Sequence, residues 1–544
     1  MAQNAKNSTD VTWKYRKLDR LKPPFLMHND SEIQYAPPNK GEEFTTNFRE
    51  HSNCSEEHGK GPSVWDDYVH ENRVKIKDNS NGDVAADSYH LWKEDIKITK
   101  ELGLHFYRFS INWPRILPTG FSNKINKAGV KYYNELIDGL VSAGVEPVVT
   151  LYHWETPIII HKLGGWTNPL IVKWFAHYAR IVFSLFGDRV KTWITINEAN
   201  VQCDYFYNSG IFITAKEDVF APFLCNKHIL MAHAHAYRIY EKEFKPKYGG
   251  SVSLANNFLW LDPYISNHEE LAELGREHAI GRYSHPIYSK KGGWPPLLEK
   301  VLLEYSLKQG YKESRLPTFT KQEKEFVRGT ADFYGVNYYT SNLIRPIKPG
   351  EDPGYFFITG VPELNAILVH PNNTWYGALD ILPVYPLGLR RSLSWLKKSY
   401  GDIDILITEC GFSTAGYDLK DYKRTNFYRD HLEQVLLSIK ADNVSVIGFT
   451  AWSLEDNFEW TNGYNSKFGL YEVNFEDPKR RRTPRNSAHY YSCVAKNRSL
   501  NVTSSCIDSS YNSGDVWLPE NGGKSLNSEI ILTALNIILG YFLF

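Results

Sequence analysis

The sequence predicts an α/β protein built on a single (β/α)8 barrel, with an atypical or incomplete first strand. Three observations carry this expectation. Short strand-like runs alternate with amphipathic helical runs through most of the 544 residues. The strand runs are short and apolar, as in parallel strands covered on both faces by helices. Polar residues gather where those runs end: Arg108, His153 with Trp154, Asn197 with Glu198, Asn337 with Tyr339, Glu409, and Trp452 onward. A closed barrel collects functional side chains at the C-terminal ends of all its strands. An open doubly wound sheet would place a ligand at one switch point and fits less well.

Residues 1–56 are polar and irregular and form an atypical N-terminal segment. Regular organisation begins near Gly59. A helix is predicted over 89–102, where Leu91, Trp92, Ile96 and Ile98 follow a 3.6 period and Gly103 stops it. A strand follows over 105–112. Residues 128–143 form a second helix, with Val130, Tyr133, Leu136, Ile137 and Leu140 on one face. Strand 146–153, helix 170–186, strand 192–197, helix 228–244 and strand 250–257 continue the alternation. Residues 262–330 hold helical stretches and Pro-rich connections. Strand 332–340 precedes a long excursion over 345–385, rich in Pro, Gly and aromatics. Helix 387–400, strand 404–410, helix 422–442, strand 444–452 and a short helix from Asn486 to about Cys493 complete the barrel region, 57–493. No internal repeat is visible.

These runs supply seven strands, and a seven-stranded barrel would leave unpaired edge groups. Something within 20–56 must fill the first place, and the best local stretches are 24–27 and 43–48. Beyond the barrel lie a polar linker, 494–529, and a hydrophobic tail, 530–544.

Composition narrows the function. The apolar share is 42% and the aromatic share 14%, which excludes a disordered chain. Net charge is zero, which argues against a nucleic-acid partner. There is no Gly-rich phosphate loop, CxxC pair or HExxH. Six cysteines are too few for a disulfide scaffold. Cys493 and Cys506 flank a polar segment, and the sequence leaves open whether they pair or stand as thiols. Sequons occur at Asn7, Asn29, Asn53, Asn372, Asn443, Asn497 and Asn501. The tail is 15 residues long, short of the roughly 20 needed to span a bilayer. Small residues Asn521-Gly-Gly523 and a polar spacer precede it, an order that resembles a GPI-attachment signal. An extracellular or cell-surface location, with membrane attachment through the tail, is therefore expected. Residues 1–40 show no apolar signal-peptide core, so a wrongly joined first segment is expected too.

The stretch from Trp452 to Trp460 has the parts of a sugar site: indoles to stack on pyranose faces and a carboxylate for hydroxyl groups. Glu455, Asp456, Asn457 and Glu459 make it costly to bury as plain core. Glu198 and Glu409 each end an apolar strand, at one height, on strands expected across the barrel. A lone strand-end Glu is most often a solvated surface group. Two of them facing across an aromatic pocket are what glycoside hydrolysis needs: one carboxyl to protonate the leaving oxygen, the other to attack carbon or activate water.

At these residues the chain resembles glycoside hydrolase family 1. The likeness rests on Thr195-Ile-Asn-Glu-Ala199, Ile407-Thr-Glu-Cys-Gly411 and Trp452-Ser-Leu-Glu-Asp-Asn-Phe-Glu-Trp460. It rests also on Tyr107-Arg-Phe-Ser-Ile-Asn-Trp-Pro-Arg115, Tyr152-His-Trp-Glu-Thr-Pro157, Arg189-Val-Lys-Thr-Trp193 and Asp332-Phe-Tyr-Gly-Val-Asn-Tyr-Tyr339. It covers about four-fifths of the chain and looks nearest to the animal branch of β-glucosidases, lactase-like and myrosinase-like proteins.

The resemblance implies a retaining β-glycosidase that acts on small-molecule β-glucosides or related glycosides by double displacement, without metal or organic cofactor. Glu198 would be the acid/base, and Glu409 the nucleophile, kept ionised by Arg108 and oriented by Tyr339. His153, Asn197, Trp452, Glu459 and Trp460 match glycone-binding positions, and Asn337 fits as a contact on the 2-OH side. A myrosinase-type preference for S-glycosides stays open. Three positions depart from the family pattern. Ala199 replaces Pro, Cys410 replaces Asn, and Glu50 falls by spacing where a glycone-binding Gln belongs. The last departure favours a second reading, a catalytically weak, klotho-like glycan- or protein-binding barrel; the retained Glu pair favours the enzyme.

Overall fold

A computed structural model describes residues 59–71, 75–209, 219–357 and 359–500, and the backbone alone of 26–28. Eight parallel strands close on themselves: β1 (Leu26–His28), β2 (Phe106–Ser110), β3 (Glu146–Thr150), β4 (Thr192–Asn197), β5 (Ser251–Asn257), β6 (Tyr334–Tyr338), β7 (Ile405–Gly411) and β8 (Val446–Trp452). Leu26 pairs in parallel with Phe106 of β2 and with Thr450 of β8, so β1 bridges the gap between the second and last strands. The stretch 24–27 thus overlaps the strand that completes the barrel. Three residues are too few to show a period, which is why its sequence signal was faint. The other stretch, 43–48, and Glu50 lie outside the described residues.

Side chains fill the barrel floor. Phe106, Val148, Ile194, Ala255, Phe333 and Leu406 form one buried layer drawn from β2, β3, β4, β5, β7 and the residue before β6. Such a layer makes the barrel a packed core with its working face at the opposite, C-terminal end. The helices α1 (Ser88–Glu101), α2 (Lys127–Ser142), α3 (Ile171–Phe186), α4 (Ala221–Ile239), α5 (Arg282–Tyr288), α6 (Pro386–Tyr400), α7 (Tyr422–Lys440) and α8 (Asn486–Asn497) surround it. The apolar stripe of α3, including Phe175, Tyr178, Val182, Phe183 and Phe186, is fully buried. Gly103 ends α1 at φ +72°, and its N–H donates to Lys100 O at 2.9 Å, which satisfies an orphan carbonyl of the last turn.

Three expectations change. The helix expected over 228–244 begins earlier, at Ala221, with Pro222 in its first turn, and gives way to a π-helical turn at Tyr240–Phe244. The excursion over 345–385 contains strands Gly360–Val361 and Ala366–Val369. They join Ser341–Pro346 and Trp260–Pro263 in a separate four-stranded sheet. Two- and four-residue strands carry no readable alternation.

The third change concerns Glu455 and Asp456. Arg482 Nε donates to Glu455 Oε2 at 2.8 Å, and Arg482 lies 3.0 Å from Asp95. Arg485 holds both oxygens of Asp456, at 2.9 and 2.7 Å. These carboxylates are partnered, buried members of a framework that ties the segment before α8 to α1 and to the stretch after β8, apart from the Glu198–Glu409 cluster.

A disulfide joins Cys203, in the π-helical turn Val201–Tyr205, to Cys225 in α4. The sequence reading did not foresee it. The pairing considered for Cys493 involves Cys506, which lies outside the described residues, as does the tail 530–544. Among the described residues, no helix is long and apolar enough to cross a membrane.

Candidate active site

Arg108 of β2 is fully buried at the centre of the C-terminal mouth. Its Nε donates to Thr150 Oγ1 at 3.1 Å. Nη1 donates to Thr408 O at 3.0 Å and Glu409 Oε1 at 2.6 Å, and Nη2 to Asn197 Oδ1 at 2.7 Å. One guanidinium therefore spans β3, β4 and β7, a fork that a lysine could not reproduce.

Glu409 has both oxygens engaged. Oε1 faces Arg108, and Oε2 accepts from the Tyr339 hydroxyl at 2.6 Å. Burial pushes its carboxyl up; Arg108 first, then the hydrogen bond from Tyr339, pull it back.

Glu198 follows β4 at φ +43°, a left-handed conformation that costs an L-residue about 1–2 kcal/mol. Its N–H donates to Ala255 O of β5 at 2.7 Å. Its Oε1 accepts from two amides, Asn337 Nδ2 and Asn257 Nδ2, each at 2.9 Å. Because Asn337 lies on β6, two strands away, the Glu198 carboxyl lies within the mouth rather than on an outer face. Burial, and next the nearby charge of Glu409, push this carboxyl up to about 8.

The amides between the acids have fixed orientations. Asn337 Oδ1 accepts from Thr408 Oγ1 at 2.6 Å, so its Nδ2 must face Glu198 and Asn197 Oδ1, 3.0 Å away. Asn197 Oδ1 is occupied by Arg108 and Asn337, so its Nδ2 donates to His153 Nε2 at 3.0 Å. Burial, and then the charge of Arg108, drive His153 well below its usual range.

An aromatic wall flanks this network. The Trp460 ring lies 4.6 Å from Trp65, 4.7 Å from Trp154 and 5.9 Å from His153. The Trp452 ring also lies 5.9 Å from His153. Glu459 is half-buried, and desolvation of its carboxyl, then Glu409's charge, push it up to about 8. Its Oε2 has no hydrogen-bond partner among the described residues.

All ten candidate residues thus lie in one connected region at the C-terminal ends of the strands. Sequence reading passed over Asn257, Asn200, Thr150 and Thr408. Asn257 closes β5 as Asn197 closes β4, so the strand-end rule could have found it. Thr150 and Thr408 precede or underlie the polar ends and carry no signal apart from their contacts.

Residues 52–500 match the family described as Glycosyl hydrolase family 1, and the chain belongs to that family. It is 41% identical over 444 residues to Myrosinase 1 of Brevicoryne brassicae, covering 80% of this chain and 93% of that one. It is 39% identical over 449 residues to human Cytosolic beta-glucosidase, covering 81% and 94%. The solved structure of an aphid myrosinase superposes with a TM-score of 0.78 at 36% identity, covering 87% of this chain and 98% of that one.

Proposed function

We propose that this chain is a retaining β-glycosidase that hydrolyses β-glucosides or related small-molecule O-glycosides in two displacements. The observation that carries the reading is the unequal environment of two neighbouring buried carboxyls. Glu409 is held by a cation and a phenol, and Glu198 by neutral amides alone. Two such groups resist ionising together, and Arg108 decides that Glu409 keeps the charge. Glu409 then attacks the anomeric carbon and forms a glycosyl ester while Glu198 passes its proton to the leaving oxygen. Glu198, now ionised, takes a proton from a water that attacks the anomeric carbon on the face the leaving group vacated, and the bond to Glu409 breaks. Arg108 holds Oε1 and Tyr339 holds Oε2, so the partner of the attacking oxygen releases it as the charge passes into the ester. No step calls for a metal or organic cofactor.

The glycone fits between the aromatic wall and Glu459. The unpartnered Glu459 Oε2 accepts a sugar hydroxyl, and Trp452 and Trp460 stack on C–H faces. His153 and Asn197 bind further hydroxyls, with Asn337 on the 2-OH side. A thioglycoside leaving group needs little acid help, so a protonated Glu198 favours O-glycosides. A klotho-like binding barrel would have no use for the paired carboxyls and their arginine.

The reading extends to location. A buried disulfide and exposed sequons at Asn372, Asn443 and Asn497 support folding in an oxidising, secretory compartment and an extracellular or cell-surface protein. The family alone does not decide this, since one relative is named cytosolic. If the tail is an anchor signal, the mature protein lacks it, and a phospholipase specific for that anchor frees it from membranes. A soluble product that keeps residues 530–544 would sink this part.

Glu409→Gln should abolish the covalent step and lower kcat by about 10⁴-fold or more. Glu198→Gln should slow poor leaving groups far more than activated ones. The product should keep the β-configuration by NMR, with carboxyls about 5 Å apart. An α-configured first product means inversion and removes the proposed roles.

A further inference from the structure

Two turns meet at the acid. Glu198 N–H reaches Ala255 O of β5 at 2.7 Å. Two residues on, fully buried Asn200 clamps the backbone of Asn257: its Oδ1 accepts from Asn257 N–H at 3.2 Å, and its Nδ2 donates to Asn257 O at 2.7 Å. Asn200 thus behaves as a short piece of neighbouring strand. Asn257, fixed in this way, donates its side-chain N–H to Glu198 Oε1 at 2.9 Å. The same oxygen takes the Asn337 N–H, whose orientation Thr408 fixes independently. Glu198 Oε2 makes none of these contacts.

We propose that Asn257 is a positioning residue for the reaction's acid: with Asn337 it fills both lone pairs of Glu198 Oε1, confining the transferable proton to Oε2. This rests on the acid/base reading above. An amide N–H cannot accept a hydrogen bond, so a proton on Oε1 would meet two donors head-on. A carboxylic acid has two equivalent oxygens, and only one orientation delivers a proton to a leaving group. The clamp makes the oxygens inequivalent before substrate arrives, which is preorganisation of the kind catalysis rewards. It also explains how Glu198 keeps its left-handed backbone: contacts from Ala255 and, through Asn200, from Asn257 hold the turn.

The test compares Asn257→Leu and Asn257→Asp in the full chain. Both remove the donor, and the second is isosteric, so it carries the test if the leucine variant fails to fold. Phenyl and 2,4-dinitrophenyl β-glucosides serve as poor and activated substrates. Loss of a donor to the ionised form should move the alkaline limb of kcat/KM upward by about one pH unit, and by more in Asn257→Asp. Phenyl glucoside turnover should fall about tenfold relative to the dinitrophenyl substrate. A residue that merely supports the fold would change the melting temperature and leave the limb and that ratio alone. Folded variants with wild-type limb and ratio overturn the proposal. Glu198→Gln, run beside them, separates the two claims: if it hydrolyses the phenyl substrate at the wild-type rate, the acid/base reading itself has failed.

Discussion

Glu198 shows how a residue's surroundings, more than its type, set its behaviour. Its folded carboxyl sits near 8, against an ordinary value of 4.5, mainly because it is buried. A raised acid binds its proton more tightly folded than unfolded. Its contribution to stability is therefore complete below about 4.5 and is lost as pH rises through about 8. Glu198→Gln cannot ionise, so its melting temperature relative to the natural chain should improve between pH 5 and pH 9. A pH-independent difference would show that Glu198 is not the group titrating. By the same sign, turnover of poor leaving groups should decline above about pH 8, as the acid form disappears.

Among the elements, two short pieces do more than their length suggests. β1 contributes three residues and closes the ring between β2 and β8. Met27→Pro would remove a backbone donor from this strand; melting should occur several degrees lower, and far-UV circular dichroism should show whether the other strands persist. The turn after Glu198 is the second piece. The Cys203–Cys225 bridge closes a loop of sequence separation 22 and restrains the unfolded chain by about 3 kcal/mol. Cys203→Ser with Cys225→Ser should melt earlier, and reductant should then have little further effect. Unchanged melting in the double variant would mean that the bridge contributes nothing to stability.

At the scale of the whole molecule, buried charges fasten the segment before α8 onto the barrel. The Arg482 side chain is 2% exposed and faces Asp95 and Glu455, whose side chains are as deeply buried, so removing it strands two carboxylates. Arg482→Met should cost about 3–5 kcal/mol. A triple change that also makes Asp95 and Glu455 neutral and apolar should recover much of that. Denaturant unfolding of both variants measures the difference; equal losses would show that the arginine's packing matters and its charge does not.

The sequence by itself determined the barrel, seven of its strands, and the two acids with their neighbours. That information is local: apolar runs of readable length, and polar residues at the point where each run stops. Tertiary structure decided what local pattern cannot contain. β1 is recognisable only by its partners, since three residues have no period. Glu455 and Asp456 made their stretch look costly to bury as plain core, but Arg482 and Arg485, some thirty positions on, supply the partners. Asn257 stood at a strand end without distinction until the fold brought it to Glu198. The donors and charges that set how readily each carboxyl ionises come from strands far apart in sequence, so no local pattern contains them.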